Sequence, residues 1–247
     1  DVAWNKLMKS VHCERFTEAA VDEMKSHLRC DTMEFVYSAP QSLIIGSRWV
    51  CRDKLLADDS VMAKVRLVGQ GFAQVPGVHY QESYAPTVLS STTRLLFSVA
   101  AAKRWTMRQL DVKTAFLIPR LPEDELLYLR PPKDFRQIMK RLDVHLEKGV
   151  LLKLNAAIYG LRQAGHYWNN AITTALVDFG LVRSKPDPCL FTKFEKNELV
   201  LMVAIYVDDI CAAGLPDRVQ EVTADLFAKF PMKDLGKPQV FCGVEVS

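Results

Sequence analysis

Apolar stretches alternate with polar turns along the chain and predict a mixture of helices and strands. The run "LVLMVAIYV" (199–207) carries no charge and is rich in β-branched residues, which is typical of a strand buried on both faces. Periodicity predicts helices over 17–28, 91–104, 166–180 and 217–230. Further strands are predicted over 42–54, 60–72, 107–112, 190–194 and 238–247. Because these elements follow no strict βαβ order, we expect an α+β fold with antiparallel strand pairing.

Capping residues predict where the helices begin and end. Thr17 is the predicted N-cap of the first helix, Ser90 or Ser91 that of the second, and Asp217 that of the last. Gly180 is expected to end the third helix in a left-handed conformation.

Three segments carry the signals of turns or irregular structure. Residues 55–60 form a polar turn between the first two long strands, and residues 75–86 are a turn-rich link. Residues 119–135 contain the prolines of an irregular region or an edge strand.

Composition places the chain among globular proteins. It has 247 residues, 49% of them hydrophobic, which is enough for one large domain or two small ones. A net charge of +3 permits a nucleic-acid partner without indicating one. The six cysteines form no C-x-x-C pair, which fits a reduced intracellular protein better than a disulfide framework. The spacing of His12, Cys13, His27 and Cys30 matches no zinc-ligand signature, so we expect no metal there.

The ends of the chain and its longest apolar run bear on its cellular setting. The run over 199–207 is too short to span a bilayer, so we expect no membrane partner. The chain starts at Asp1 without a signal peptide, and we expect it to be a segment of a longer polypeptide.

Asp208 and Asp209 follow the buried run and form the first candidate site. Because side chains on a strand alternate faces, we expect a tight hairpin with residues 210–213 as the returning strand. From this pair alone, a solvated turn is the better explanation, since Asp is a common turn former. Asp111 in "QLDVKTAFL" changes this interpretation, because it also follows an apolar strand segment. Three carboxylates at strand ends suit Mg²⁺, and two such ions can hold the attacking and leaving oxygens of phosphoryl transfer.

Lys64 and Arg66 in "AKVRLVGQGF" are the candidate cations. They are two residues apart, so they share one face of a strand. In isolation, an ordinary solvent-facing strand with two basic residues is the better explanation for them. Together with an acidic cluster they suit a nucleoside triphosphate, whose phosphates need both metal and Arg or Lys contacts.

Six ordered blocks of sequence resemble the reverse transcriptase of copia-type LTR retrotransposons. They are "RWVCRDK", "KVRLVGQGFAQVPGVHYQESYAPTV", "QLDVKTAFL", "IYGLRQAGHYW", "YVDDI" and "MKDLGKPQVFCGVEV". The resemblance covers nearly the whole chain and implies a right-hand polymerase fold. It assigns residues 1–90 and 117–157 to the fingers, and residues 91–116 and 158–247 to the palm, as one reverse transcriptase domain. A thumb, an RNase H region and an integrase are not evident.

The resemblance implies an RNA-directed DNA polymerase that extends a primer 3′-hydroxyl with deoxynucleotides by a two-metal mechanism, with DNA-directed synthesis left open. Asp111, Asp208 and Asp209 would be the catalytic residues and the ligands of Mg²⁺, for which Mn²⁺ can substitute. The implied partners are an RNA template, a DNA primer and deoxynucleoside triphosphates. The implied location is intracellular, in the cytoplasm and within virus-like particles, and the oligomeric state is left open.

The same resemblance assigns the nucleotide pocket. Lys64 and Arg66 would hold the triphosphate, Phe116 would be the aromatic gate beneath the sugar, and Gln163 would pack near the nucleotide and template. Core packing is the alternative for Phe116, since its neighbours are apolar. Primer and template contacts are assigned to Tyr206, Phe241 and Gly243.

The chain departs from the family pattern at two places. Pro119 and Arg120 replace the short turn that relatives carry after "AFL", and Gly165 and His166 stand where relatives have proline and arginine. At the latter place a permanent cation becomes a group that is mostly neutral at pH 7. Two other functions therefore stay open: a decayed or domesticated nucleic-acid-binding domain, and another palm-fold enzyme such as a nucleotide cyclase. The basic strand and the "GLRQ" block favour an enzyme that uses a template.

Overall fold

A computed structural model describes residues 3–55 and 60–246. In chain order the helices are α1 (Trp4–Leu7), α2 (Cys13–Arg29), α3 (Ser90–Ala102), α4 (Phe135–Lys140), α5 (Ala164–Asp178) and α6 (Pro216–Lys229). The strands are β1 (Met33–Val36), β2 (Ile44–Leu55), β3 (Val61–Gly69), β4 (Thr106–Val112), β5 (Tyr128–Arg130), β6 (Leu151–Leu154), β7 (Val182–Arg183), β8 (Leu190–Glu195), β9 (Glu198–Tyr206), β10 (Asp209–Gly214), β11 (Met232–Gly236), β12 (Val240–Phe241) and β13 (Val244–Glu245). Short 3₁₀ helices lie at Gln41–Leu43, Gly71–Ala73 and Ala115–Leu117.

The chain divides into two compact units, each made of two segments. The first unit contains Asp1–Ser83 and Phe116–Tyr167, and the second contains Tyr84–Ala115 and Trp168–Ser247. The predicted fingers and palm segments change over at nearby but different residues. Their assignment to these two units stays a prediction.

The first unit is built on a sheet with the strand order β1-β6-β5-β2-β3. Its strands pair antiparallel except for β2 and β5, which pair in parallel. The core contains a group of stacked rings, in which Trp49 lies 5.5 Å from Trp4 and 6.3 Å from Phe135 between ring centroids. Helix α2 packs against the edge strand β3 and buries Phe16, Ala20 and Met24.

The second unit is built on a fully antiparallel sheet with the order β11-β4-β10-β9-β8-β7. Its centre is apolar on both faces, because every residue from Val200 to Ile205 is buried. Helix α3 covers one face through Leu96 and Ala100, which pack with Met202 and Cys211. The α+β fold with antiparallel pairing is thus confirmed. Within the described residues, no helix is long and apolar enough to cross a membrane.

Three predicted N-caps are wrong. Thr17 lies inside α2, where its hydroxyl donates to the carbonyl of Cys13 at 2.9 Å, because the buried face of the helix extends one turn further. The N-cap of α3 is Leu89, which makes no side-chain cap, so Ser90 is already helical and Ser91 follows it. Asp217 is the second residue of α6, because Pro216 takes the first helical position, for which its fixed φ is suited.

The predicted end of α5 is confirmed, and two other predictions need correction. Gly180 has a φ of +93° two residues after Asp178, which ends α5. Residues 238–247 do not form one strand: β12 and β13 pair as a hairpin because Cys242 and Gly243 both have positive φ. The 119–135 region is irregular over most of its length, as predicted, but its strand β5 lies inside its sheet, so the edge alternative is wrong. Most of the predicted turn over 55–60 lies outside the described residues.

Candidate functional site

Four side chains form a row across the sheet of the second unit. The strand register places Asp111 opposite Lys233 on one side and opposite Asp209 on the other. Asp209 in turn lies opposite Tyr206 across the hairpin of β9 and β10. Directly opposite residues point to the same face, with Cβ atoms roughly 4.5–5.5 Å apart. We call Lys233, Asp111, Asp209 and Tyr206 the carboxylate row.

The hairpin that carries the row turns through Val207 and Asp208. Val207 has a φ of +55°, which costs about 1–3 kcal/mol for such a residue and persists only where its surroundings fix it. Two hydrogen bonds fix it here. The indole N–H of the buried Trp168 donates to the Val207 carbonyl at 2.6 Å, and the Val112 N–H donates to the Asp208 carbonyl at 2.8 Å. The turn therefore presents the Asp208 side chain, which is exposed, at a fixed point beside the row.

The protein matches the negative charge in this region only in part, because Lys233 lies opposite Asp111 but forms no ion pair with it. Partial burial raises the pKa of Asp209; the Gln109 amide, at 3.4 Å, opposes this shift, and the nearby Asp208 and Asp111 add to it. Throughout the described part of the chain, no Lys, Arg or His side chain forms an ion pair with any of these three carboxylates. Burying charge without a partner is costly, so this arrangement favours an external cation.

The residues fit Mg²⁺ as an open site and not as a closed cage. Carboxylate oxygens are the ligands that Mg²⁺ prefers, and this ion commonly binds one or two of them together with substrate phosphates. Over residues 3–55 and 60–246, no group of three or more His, Cys, Asp and Glu side chains is arranged so that it could hold a metal by itself. Asp111, Asp208 and Asp209 as metal ligands therefore stay a prediction, which requires phosphate oxygens to complete the coordination.

A cavity of about 440 Å³ opens beside Asp209. It brings together two of the three predicted primer and template contacts: Tyr206, which is 41% exposed, and Gly243, in the turn between β12 and β13. The third, Phe241, is only 1% exposed and packs edge-on against Phe97 at 6.3 Å. The ring of Phe241 supports this hairpin from within the core and has almost no surface to offer a nucleic acid.

Arg66 is the best placed of the predicted nucleotide-binding residues in the first unit. Its Nη1 donates to the Glu23 carboxylate at 3.1 Å, and its guanidinium lies 4.6 Å from the ring centroid of Tyr159. The side chain is still 26% exposed. Lys64, two residues earlier on β3, points to the same face and is half-buried.

Phe116 lies near the same group of side chains. Its ring meets Tyr159 edge-on with centroids 5.3 Å apart, and it is partly buried against the core of the first unit. Tyr159 therefore contacts both Phe116 and Arg66. Whether Phe116 is a gate for the sugar or a core residue stays a prediction to be tested.

Gln163 lies in a different setting from the other predicted nucleotide contacts. It is fully buried, accepts a hydrogen bond from Gln74 at 3.0 Å, and donates to the His79 carbonyl at 3.2 Å and to Glu125 at 2.6 Å. These contacts favour a structural role in joining three loops of the first unit. Its contact with nucleotide stays a prediction.

Three residues of interest were missed by sequence reasoning: Glu23, Tyr159 and Lys233. Glu23 and Arg66 are 43 residues apart, so no local pattern links them. Lys233 lies on β11, whose mostly exposed residues give no strand periodicity. For Tyr159 a signal existed, since it belongs to the quoted "IYGLRQ" block, but the prediction fell on Gln163.

Comparison with known proteins gives the chain its family. The sequence matches the family described as reverse transcriptase (RNA-dependent DNA polymerase) over residues 31–247. It is 32% identical over 235 residues to the retrovirus-related Pol polyprotein from transposon RE1 of Arabidopsis thaliana, covering 94% of this chain and 15% of the relative. It is 30% identical over 245 residues to the corresponding polyprotein from transposon TNT 1-94 of Nicotiana tabacum, covering 98% of this chain and 17% of the relative. The chain thus spans about a sixth of the length of these relatives.

A solved structure was also similar in part. It is a foamy viral protease-reverse transcriptase in complex with double-stranded DNA, with a TM-score of 0.44 and 10% identity, covering 86% of this chain and 29% of that one. The family match and the relatives confirm the resemblance to copia-type elements. This chain belongs to the reverse transcriptase (RNA-dependent DNA polymerase) family.

Proposed function

We propose that this chain is the polymerising segment of a retrotransposon Pol polyprotein, adding deoxynucleotides to a primer 3′-hydroxyl on an RNA template. The observation that carries the proposal is the carboxylate row. Asp111 and Asp209 lie directly opposite each other, Asp208 stands at the adjoining turn, and no cation of the described chain pairs with them. Such a group is costly to the fold unless a ligand of positive charge uses it.

Asp111, Asp208 and Asp209 would hold the metal ions. Bound Mg²⁺ supplies positive charge that stabilises the attacking and leaving oxygens during phosphoryl transfer. The protein's own contribution is to hold the carboxylates in place. The sheet register positions Asp111 and Asp209, and the hydrogen bond from Trp168 fixes the turn that carries Asp208. Oxygen ligands held in place before the substrate arrives need no reorganisation during the reaction.

The remaining roles belong to binding. Arg66, with Lys64 on the same face of β3, would contact the triphosphate, because guanidinium groups match phosphate oxygens in both charge and geometry. Phe116 would lie beneath the sugar and reject a 2′-hydroxyl by steric clash. Tyr206 and Gly243 line the cavity beside Asp209 and would contact the primer and template.

The test is primer extension by the purified chain on an RNA template, with Mg²⁺, with Mn²⁺ and with a chelator. We expect extension with either metal and none with the chelator. Duplex binding, followed by fluorescence anisotropy of a labelled RNA–DNA hybrid, is measured in parallel. Asp178→Asn is the matched control, because this exposed carboxylate ends α5 in the same unit and lies outside the row.

Three outcomes separate the candidate functions. Extension in wild type and in Asp178→Asn supports the polymerase. Tight hybrid binding without extension under either metal would instead identify a nucleic-acid-binding domain that has lost its chemistry. A template-independent product from a single nucleotide would indicate a cyclase.

A further inference from the structure

We propose that Glu23 is a positioning residue for Arg66, holding the guanidinium so that its unused N–H groups face a phosphate-bearing ligand. The inference rests on the proposed contact between Arg66 and the triphosphate. It goes further because it assigns a functional role to a residue of helix α2. Glu23 lies on α2, on the face of the helix that packs against β3.

Glu23 is an ionisable residue in an interior position. It is 4% exposed, and its two carboxylate oxygens have different partners. Oε2 accepts from Nη1 of Arg66 at 3.1 Å, while Oε1 accepts the backbone N–H of Leu67 at 3.2 Å. The ring nitrogen Nε2 of the fully buried His27 lies 3.5 Å from Oε1, and the other ring nitrogen contacts the Thr32 hydroxyl at 2.8 Å.

These contacts fix Arg66 along one edge and over one face. Glu23 holds the edge at Nη1, and Tyr159 lies under the guanidinium at 4.6 Å. A guanidinium has five N–H donors in a planar fork. Within residues 3–55 and 60–246, Nε and Nη2 make no hydrogen bond. The side chain is 26% exposed, so part of it is open to a ligand.

The Leu67 contact does not by itself account for the carboxylate, although the buried His27 ring 3.5 Å from Oε1 is a second neighbour. The N–H of Leu67 on the edge strand needs only a neutral acceptor, which Gln would supply equally well. A buried ion pair is also weak as a source of stability, because desolvation offsets much of the attraction. Orientation of a long and flexible side chain does account for it, since Arg has large rotamer entropy that an anchored guanidinium has already lost.

Tyr159 connects this pair to the predicted sugar gate. Its ring contacts the guanidinium of Arg66 and the ring of Phe116. Glu23, Arg66, Tyr159 and Phe116 therefore form one continuous group in the first unit, which we call the Arg66 wall. Displacement of Arg66 would therefore weaken triphosphate binding directly, and it would change the position of Phe116 only indirectly, through Tyr159.

The experiment compares Glu23→Gln, Glu23→Asp, Arg66→Ala and the double variant Glu23→Gln/Arg66→Ala. Each is measured for kcat and for the apparent KM of all four deoxynucleotides, and by calorimetry for binding of inorganic tripolyphosphate. Glu14→Gln is the matched control, because Glu14 is an exposed glutamate on the same helix whose ion pair is with Arg141. Thermal midpoints show whether each variant is folded.

We expect Glu23→Gln to raise the KM for every deoxynucleotide about fivefold with little change in kcat, the loss from releasing one ordered side chain. Arg66→Ala should raise KM further, and Glu23→Gln should add nothing in the Arg66→Ala background, because the residue acts through the guanidinium. Glu23→Asp keeps the charge but shortens the reach, so it should also weaken binding. Glu14→Gln should behave as wild type.

Several results would overturn the proposal. If Glu23→Gln bound tripolyphosphate more tightly, Glu23 would be acting as an opposing charge and not as an anchor. A wild-type KM and a wild-type tripolyphosphate affinity in Glu23→Asp would also contradict the proposal, because the shorter side chain should no longer hold the guanidinium. Effects of Glu23→Gln and Arg66→Ala that add in full would mean that Glu23 acts elsewhere.

Failure of this proposal can be told from failure of the proposed function. If wild type extends primers while Glu23→Gln has an unchanged KM, only the positioning role is rejected. If wild type does not extend primers, the tripolyphosphate series still reports on Glu23 and Arg66. A fall in tripolyphosphate binding with the expected non-additivity would then leave the positioning role standing without the polymerase.

Discussion

In the first unit the cation of Arg66 meets a buried carboxylate at 3.1 Å and an aromatic face at 4.6 Å, so its charge is largely matched within the protein. In the second unit Asp111 and Asp209 face each other across β4 and β10 beside Asp208, and no cation of the described chain pairs with them. One region has its counter-charge built in, whereas the other leaves it to be supplied from outside.

This difference indicates what each region is organised to do. A matched charge with spare N–H donors can recognise an anion without reorganising, which is suited to binding. In the second unit, partial burial and the neighbouring carboxylates raise the pKa of Asp209, a cost to the fold that is commonly found where catalysis requires it. We therefore expect variants of the carboxylate row to change kcat, and variants of the Arg66 wall to change affinity or selectivity.

The largest expected effect follows from removing one carboxylate of the row or its turn. Asp111→Asn and Asp208→Asn keep the size and one acceptor oxygen but lose the negative charge. Loss of a ligand from a two-metal site costs several kcal/mol in the transition state, so extension should fall about a thousandfold or more. Single-turnover extension measures the rate, and anisotropy of the labelled hybrid should show little change in affinity. Near wild-type turnover in either variant would falsify the assignment.

The Arg66 wall should respond in selectivity instead of rate. Phe116→Val removes the ring that meets Tyr159 and opens space beneath the sugar. Ribonucleotides should then be admitted while most deoxynucleotide incorporation is retained, and discrimination should fall at least tenfold, or about 1.4 kcal/mol. Competition between the two nucleotide types on one template measures the ratio.

A control on the same core distinguishes the gate from general loosening. Phe35 also packs in the first unit, edge-on against Phe135 at 6.4 Å, and Phe35→Val should lower stability without changing the ratio. An unchanged ratio in Phe116→Val would mean that its ring is core packing and that the sugar gate lies elsewhere.

Asp209 tests whether the row destabilises the fold, as unmatched charge should. Asp209→Asn removes a half-buried carboxylate that Asp111 and Asp208 repel, so stability near pH 7 should rise by about 1 kcal/mol, or about 2–4 °C in the thermal midpoint. Because the folded protein raises the pKa of Asp209, the destabilisation grows as pH rises from the unfolded pKa to the folded pKa, and it is complete above the latter. It is absent below the unfolded value of about 3.9.

The advantage of Asp209→Asn should therefore shrink as the solution is acidified. Midpoints are measured in a chelator so that no metal ion supplies the missing charge. Adding Mg²⁺ should then stabilise wild type more than the variant. A variant less stable than wild type at neutral pH would show that Asp209 is compensated by the protein after all.

The second unit was the easier part to predict from sequence. A strand buried on both faces has a pattern that nothing polar interrupts, and the predicted 199–207 strand is observed as Glu198–Tyr206. Asp208 could be picked out because it follows such a strand, and Asp111 because an apolar segment precedes it, although in the structure Asp111 lies within β4. The hairpin was predicted because two adjacent acidic residues cannot share one face of a regular strand.

What escaped prediction depends on contacts between distant parts of the chain. Glu23 is one of several acidic residues on an amphipathic helix, and only the fold shows that it is buried beside Arg66. Gln163 has partners 84, 89 and 38 residues away, so its burial has no local signature. Strand β5 is three residues long, too short for any period to be recognised.

The smallest expected effect is at His166, which lies outside both regions and so limits the comparison between them. Its Nε2 is 3.5 Å from the Glu82 carboxylate, in a cavity of about 260 Å³ that Asp124 and Glu125 also line. His166→Arg would place a permanent cation among these acids, where a partly exposed pair contributes up to about 1 kcal/mol. The family resemblance implies an arginine at this place, so we expect extension at pH 7.5 to rise by a factor of about two to five. The exposed His145→Arg, also in the first unit, is the control for a general gain of positive charge. Equal gains in the two variants would mean that added charge simply favours nucleic-acid binding. A gain confined to His166→Arg would show that activity depends on a permanent cation at this position.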